Sequence, residues 1–226
     1  MQKYTILGLT LYDYNVREAL RNTDRYLKNG ALNTVAYISG ALLAQASREE
    51  ELAEKLEQMD MTICAEPDIL EAAGIAGRSR VHEIDEKVYL RGLLRKLSRS
   101  RSRVYLLSDT EDNLETLKDI VLEYQENLNI CGSGTYESFG EHPERLVNEL
   151  NDVAPAAIIS RMPFPADLYV MTEYKTYINA ELWLSLPHGA VTWVQNPSAW
   201  ARMKRKVNYR KFIRQVLAYN KKADSE

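Results

Sequence analysis

The turn Glu66-Pro67-Asp68 places two carboxylates just after a buried-strand pattern, in which Met59, Met61, Ile63 and Cys64 are apolar, and directly before an Ala/Leu-rich helical stretch. In an α/β protein, a strand that ends in a turn carrying carboxylates is a common place for chemistry. Both residues also suit an ordinary helix start, where the helix dipole favours negative charge. Pro67 stiffens the turn behind Glu66. His188, which follows the apolar run Leu182 to Leu186, is a further acid or base by type. A single histidine at a strand end serves equally as a structural residue. Two other stretches offer less. The glycines of "CGSGTYESFG" lack phosphate-loop spacing. The run "SRSRSR", Ser98 to Arg103, has no aromatic platform for RNA and reads as a solvated loop.

The elements that must position these groups alternate between strand and helix patterns. Tyr4 to Tyr12 reads as one or two short strands around Gly8. Asn15 and Glu18 form a capping box, and the helix they start should keep Val16, Ala19, Leu20, Thr23 and Leu27 on one face and stop at Asn29-Gly30. Thr34 to Ile38 is a strand, Ser39-Gly40 the turn after it, and Ala41 to Gln45 a short helix. A second capping box, Ser47 to Glu50, predicts a helix to about Gln58. The strand Met59 to Cys64 and the helix Asp68 to Ala73 come next, then a basic helical stretch from Glu86 to Leu97. "VYLLS" is a strand. Asp109 to Asp112 caps an amphipathic helix, "LNICGSG" is a strand, and Pro143 opens a helix to Leu150. "AAIIS" and "LWLSL" are the last strands, with a helix near Asp167 between them. Strands apolar on both faces and separated by helices predict an α/β fold, a mostly parallel Rossmann-like sheet sandwiched by helices. Ligands in such folds sit at the C-terminal ends of the strands.

The bulk properties bound the partners. The chain has 226 residues, enough for one large α/β domain; 45% are hydrophobic and 27% charged, which fits a globular protein. A net charge of -3 gives no general attraction to nucleic acid. Cys64 and Cys131 lack metal-ligand spacing and read as reduced core thiols of a cytoplasmic protein. The start "MQKYTILGLT" carries no signal-peptide pattern, and no run approaches the ~20 apolar residues of a membrane span. Any membrane contact is therefore expected to be peripheral. The best-developed candidate for it is the long C-terminal helix, Ser198 to Tyr219, with its tail. Trp200, Met203, Val207, Phe212, Val216 and Tyr219 lie there among Arg202, Lys204, Arg205, Lys206, Arg210, Lys211 and Arg214. Basic residues with embedded aromatics suit an anionic membrane surface, and the apolar side can instead dock on the domain. The expected division is residues 1–197 as the α/β domain and 198–226 as a basic amphipathic helix and tail.

The order of these pieces resembles the WecG/TagA/CpsF glycosyltransferase family. The resemblance rests on "ILGLTLYDYNVREAL", on "TVAYISGALLAQASREEELAEKLEQMDMTI", on "SRVHEIDEKVYLRGLL" with an Arg-Val pair and an Asp five residues after that Arg, and on the later strand units "RVYLLSDTEDNLETLKDIVLEY" and "LVNELNDVAPAAIIS". It implies transfer of an N-acetylhexosamine-type sugar from a UDP donor to a polyprenyl-diphosphate-linked acceptor at the cytoplasmic membrane face, for cell-surface polysaccharide. It implies no metal and no cofactor beyond the donor, and a basic C-terminal appendage that reaches the membrane.

Carried over position by position, the family's Asp-Gly pair after the fourth strand falls on Ala65-Glu66, so Glu66 or Asp68 would be the base. Its Thr-x-Asn falls on Tyr37 and Ser39, its Gly-Gly turn on Ser108-Asp109, and its Gln on Asp167. Arg80 stands where the family has an arginine able to hold phosphate, and Asp85 where it has an Asp. On this reading Ser39 and Asp167 contact sugar, and Trp200, Lys204, Arg205, Lys206, Arg210 and Lys211 contact the membrane. A carboxylate at Asp109 in place of glycine repels a diphosphate and bars close backbone approach. That replacement opens the alternative, a relative that has given up catalysis and binds a glycan or a partner protein such as an active glycosyltransferase; a homo- or hetero-oligomer fits either reading.

Overall fold

The computed structural model describes residues 2–139, 142–188 and 199–223. The chain begins with an antiparallel hairpin, β1 (Gln2–Ile6) and β2 (Leu9–Asp13). Helix α1 (Val16–Tyr26) follows, with the full capping box: Asn15 Oδ1 accepts from Glu18 N at 2.9 Å and Glu18 Oε2 accepts from Asn15 N at 3.1 Å. Then come β3 (Asn33–Ile38), α2 (Gly40–Ala46), α3 (Glu50–Glu57), β4 (Met61–Cys64), α4 (Pro67–Ala72), α5 (Arg78–Asp85), α6 (Val88–Arg99) and β5 (Val104–Ser108). The second half contains α7 (Glu111–Tyr124), β6 (Ile130–Thr135), the single turn α8 (Tyr136–Phe139), α9 (Pro143–Val153), β7 (Ala157–Arg161), α10 (Ala166–Glu173), β8 (Leu182–Ser185) and α11 (Ala199–Ala223).

Strands β3 to β8 form one sheet in the order β4-β3-β8-β7-β5-β6, and every pairing in it is parallel. The α/β expectation holds, and the reason is visible in the strands. Successive side chains of a strand point to opposite faces. In β3, Val35 and Tyr37 face a core with α1, α6 and α7, whereas Ala36 and Ile38 face a core with α2, α3, α4, α9 and α10. β5 divides in the same way, Val104 and Leu106 against Tyr105 and Leu107. The hairpin closes the second of these layers, with Tyr4, Ile6, Leu9 and Leu11 buried in it.

Two local readings change. Ser47 does not open α3. Its hydroxyl turns back to the carbonyl of Ala44 at 3.0 Å and closes α2, so α3 starts after Glu49 without a side-chain cap. Thr110, rather than Asp109, caps α7, with Thr110 Oγ1 accepting from Asn113 N at 3.3 Å. The glycines of β6 serve packing: a Cβ at Gly132 would stand 2.8 Å from the Tyr105 ring, and one at Gly134 2.6 Å from its hydroxyl. Real Cβ contacts never come so close, so this edge strand is Gly-rich to admit a tyrosine.

Candidate functional site

The C-terminal ends of all six parallel strands open on one edge of the sheet, and the residues there decide what it can do. At the ends of β3 and β4, Glu66 reaches across to the start of α2. Its Oε2 accepts from Gly40 N at 3.0 Å, so one carboxylate oxygen satisfies an N–H that the helix leaves open. Ser39 does the same one step away: Ser39 Oγ accepts from Leu42 N at 3.2 Å, and the residue is buried. Helix α11 lies over this corner. Phe212 and Val216, one turn apart, are its buried contacts, and the Phe212 ring would stand 3.0 Å from a Cβ at Gly40. Only glycine lets the helix come so near.

Between α2, α4 and α11 remains a cavity of about 430 Å³, lined by Glu66 and Asp68 together with Arg48, Tyr209, Lys211 and Phe212. Glu66 and Asp68 are half-buried in its wall. Tyr209 has its phenol pushed up by burial, by the neighbouring Glu71, which accepts its hydrogen bond, and by Asp68. The cavity thus has carboxylates on the sheet side and a phenol and an ammonium on the helix side. That set can hold a polar ligand and take a proton from it.

The other expected site residues stand elsewhere. Arg80 donates from Nε to Asp13 Oδ2 at 2.9 Å and from Nη2 to Asp13 Oδ1 at 2.5 Å, and also pairs with Glu83. This fork joins the hairpin to α5, and the space beside it, about 10 Å³ bordered by Tyr37, Lys87 and Tyr89, holds little more than a water. Tyr37 points into the opposite core, its ring 6.0 Å from that of Tyr89. Asp85 ends α5 on the surface. Arg80→Gln should therefore cost about 2 kcal/mol, because it leaves the part-buried Asp13 and Glu83 carboxylates without their donor. The loss should appear as faster amide exchange in β1 and β2; unchanged exchange there would remove the tether from the account.

Asp167 is wholly buried. It accepts from Ser160 Oγ at 2.8 Å and from Ser185 Oγ at 2.5 Å, and Trp183 Nε1 donates to Ser160 Oγ at 2.8 Å. Burial pushes the Asp167 carboxyl up to about 6 against these hydrogen bonds and one from the Met162 backbone. This knot ties α10 to β7 and β8 and faces no opening among the described residues. On α11, Arg210 and Lys211 are exposed, and the side chains of Trp200, Lys204, Arg205 and Lys206 lie outside the described part.

A second polar group occupies the ends of β5, β7 and β8. The single Ser108 hydroxyl proton is shared between the Arg161 carbonyl at 2.7 Å and Asp109 Oδ1 at 3.1 Å, and Asn113 Nδ2 donates to the same Asp109 oxygen at 2.8 Å. His188 Nε2 stands 3.2 Å from Asn113 Oδ1, and the imidazole is pushed down by burial and by the nearby Arg161 charge. Arg161 itself is 8% exposed, and its Nε and Nη1 have no partner among the described residues. Sequence reasoning passed over Arg161. Its signal was a lone cation closing a strand that is buried throughout.

Comparison with known proteins now bears on these two clusters. The profile described as "Glycosyl transferase WecG/TagA/CpsF family" matches residues 4–192, from the hairpin past the end of β8. The chain belongs to this glycosyl transferase family. No curated protein matches the sequence. In this WecG/TagA/CpsF member, Glu66 occupies the turn after β4, at the C-terminal edge of the parallel sheet. Within that frame, Asp109 and Arg161 are the charged residues at the ends of β5 and β7. No helix among the described residues is long and apolar enough to cross a membrane.

Proposed function

We propose that the chain transfers a hexosyl group of the N-acetylhexosamine type from a UDP-sugar to a polyprenyl-diphosphate-linked acceptor in cell-surface polysaccharide synthesis. The observation that carries this reading is the Glu66 carboxylate in the wall of the cavity of about 430 Å³, fixed by the Gly40 N–H at the end of β4. In the reaction, the acceptor oxygen attacks the anomeric carbon and its proton passes to Glu66, or to Asp68 beside it. The bond from that carbon to the phosphate oxygen breaks, and UDP leaves with the electron pair. A carboxylate held by one oxygen keeps its direction while the other oxygen works, which is what positioned base catalysis requires. The family membership supports sugar transfer, and the donor and acceptor follow from the resemblance. The test is UDP release from a panel of UDP-hexosamines with a polyprenyl-diphosphate-linked acceptor present. Turnover that needs both substrates supports the reading; no turnover with any donor removes it.

A second reading has its own observations. Ser39 is engaged as a helix cap, Arg80 is held by Asp13 and Glu83, and Asp167 is sealed in a hydrogen-bonded knot. These three placements suit a relative that binds a glycan or a partner without transferring sugar. Glycan binding without UDP release would select it.

Membrane association belongs to the first reading. On α11, Met203, Val207 and Leu217 are exposed at 59%, 60% and 56%, and Arg210, Arg214 and Lys221 are exposed with them. At 100° per residue these six share one face, opposite the docked Phe212 and Val216. Each basic residue near an anionic surface contributes about 1 kcal/mol, screened over ~8 Å at physiological salt. Vesicles containing anionic lipid should therefore float the protein at low salt, less as salt rises, and neutral vesicles should not. Reversing Arg210, Arg214 and Lys221 to Glu should abolish flotation while Phe212 and Val216 keep the helix docked. Equal flotation of both proteins would exclude this face.

A further inference from the structure

We infer that Arg161 is the receptor of an oxyanion site of phosphate type at the C-terminal ends of β5, β7 and β8, an inference that rests on the transferase reading for the identity of its natural ligand. The observation is an incomplete cation. Arg161 is more than nine-tenths buried, and two of its three guanidinium nitrogens, Nε and Nη1, are buried and have no hydrogen-bond partner among the described residues. A guanidinium stays charged and carries five N–H donors in a fixed fork, so a buried one calls for an oxyanion. The described neighbours do not supply one. Asp109 is close enough to favour the charged form of Arg161, but it forms no ion pair with the guanidinium among the described residues. Its Oδ1 instead receives Ser108 and Asn113. The Arg161 carbonyl accepts from Ser108 Oγ, so the backbone that carries the guanidinium is tied to the end of β5.

The surroundings define the ligand chemistry. Asn113 and His188 offer polar groups at the rim, and both are half-exposed, as is Asp109, so the cluster borders solvent. Asp109 alone would repel a phosphate; the Arg161 charge beside it offsets that repulsion. The bidentate geometry of a guanidinium matches the oxygens of a phosphate group. The site is separate from the Glu66 cavity, because β8 and β3 stand between β7 and β4. In the transferase reading the group it takes is the diphosphate of the donor or of the released nucleotide. Free pyrophosphate presents the same chemistry without a nucleoside.

The test uses the full chain, titrated with sodium pyrophosphate, with UDP and with uridine. The His188 imidazole resonances and calorimetry are the readouts. Pyrophosphate and UDP should shift His188 saturably, and uridine should not. Arg161→Met should weaken pyrophosphate binding by about tenfold or more, the scale of a charge-assisted bidentate contact. It should fold at least as well as the native chain, since it removes an unpartnered buried charge. Arg161→Lys should be intermediate, as a point charge without the fork. Asp109→Asn should tighten binding, because an amide oxygen can still receive Ser108 and Asn113 while the repulsion is gone. UDP binding with no pyrophosphate response would assign recognition to the nucleoside and overturn the inference. So would pyrophosphate binding as tight in Arg161→Met as in the native chain, or no response in the native chain. Arg161-dependent pyrophosphate binding in a protein that releases no UDP from any donor would keep the oxyanion site and remove the transferase reading. Transfer that Arg161→Met leaves intact would do the reverse.

Discussion

Replacing Asp167 with asparagine is expected to abolish a loss of about 3 kcal/mol in stability that the native protein suffers between roughly pH 4 and pH 6. The carboxyl is fully buried, and burial raises it from 3.8 to about 6, with the Ser185, Ser160 and Met162 hydrogen bonds acting in the opposite direction. Below 3.8 the group is protonated in both folded and unfolded chains, and its burial carries no charge penalty. Between the two values the folded chain holds a proton that the unfolded chain has released, so stability falls as pH rises. Above about 6 both forms are ionised and the whole penalty remains. A shift of about two pH units at 1.36 kcal/mol each gives the figure. Asparagine has nearly the same shape and no charge to bury. It can accept from Ser160 through its oxygen and donate to Ser185, whose hydroxyl can reverse. Denaturant midpoints of both proteins across this pH range give the result as a difference, in which the other carboxylates cancel. Parallel curves for the two proteins would show that Asp167 is not the titrating group.

The same residue marks how far the sequence could be read. The strands were legible because apolar side chains on both faces leave continuous runs such as "VYLLS" and "AAIIS", and the Asn15–Glu18 box was legible because its two bonds are local. Helix α5 was not: of its residues only Ile84 is buried, and it depends on Arg80 meeting Asp13, 67 positions away. Ser47 shows the limit of a motif, since the same hydroxyl could face α3 or return to α2. At the site, the acidic turn after β4 was readable as a place, but Glu66 bonding Gly40 across β3 was not. Asp167 reads as a polar residue near a helix start, and its partners come from β7 and β8. Arg161 stood in plain view at the end of β7. What the sequence lacked was the information that its neighbours would leave it incomplete.

Glu66→Gln is expected to lower turnover by about a hundredfold or more, which corresponds to at least ~2.7 kcal/mol of transition-state stabilisation. The geometry makes this substitution clean. The Gln side-chain oxygen can still accept from Gly40 N, so the start of α2 and the contact with Phe212 on α11 should persist. Only the capacity to take a proton is lost. Glu66→Ala removes both the capacity and the bond. If Glu66 serves α2 alone, the alanine variant should lose stability and the glutamine variant should keep full activity. If it is the base, both should lose turnover while only the alanine variant loses stability. The loss in Glu66→Gln should fall on kcat with KM little changed, since the base acts in the transition state rather than in binding. Asp68→Asn is the matched test of the second carboxylate, two residues on and half-buried in the same cavity wall. A hundredfold loss there with a normal Glu66→Gln would move the base to Asp68. Native turnover in both variants would take the turn out of the mechanism and leave the cavity as a binding site.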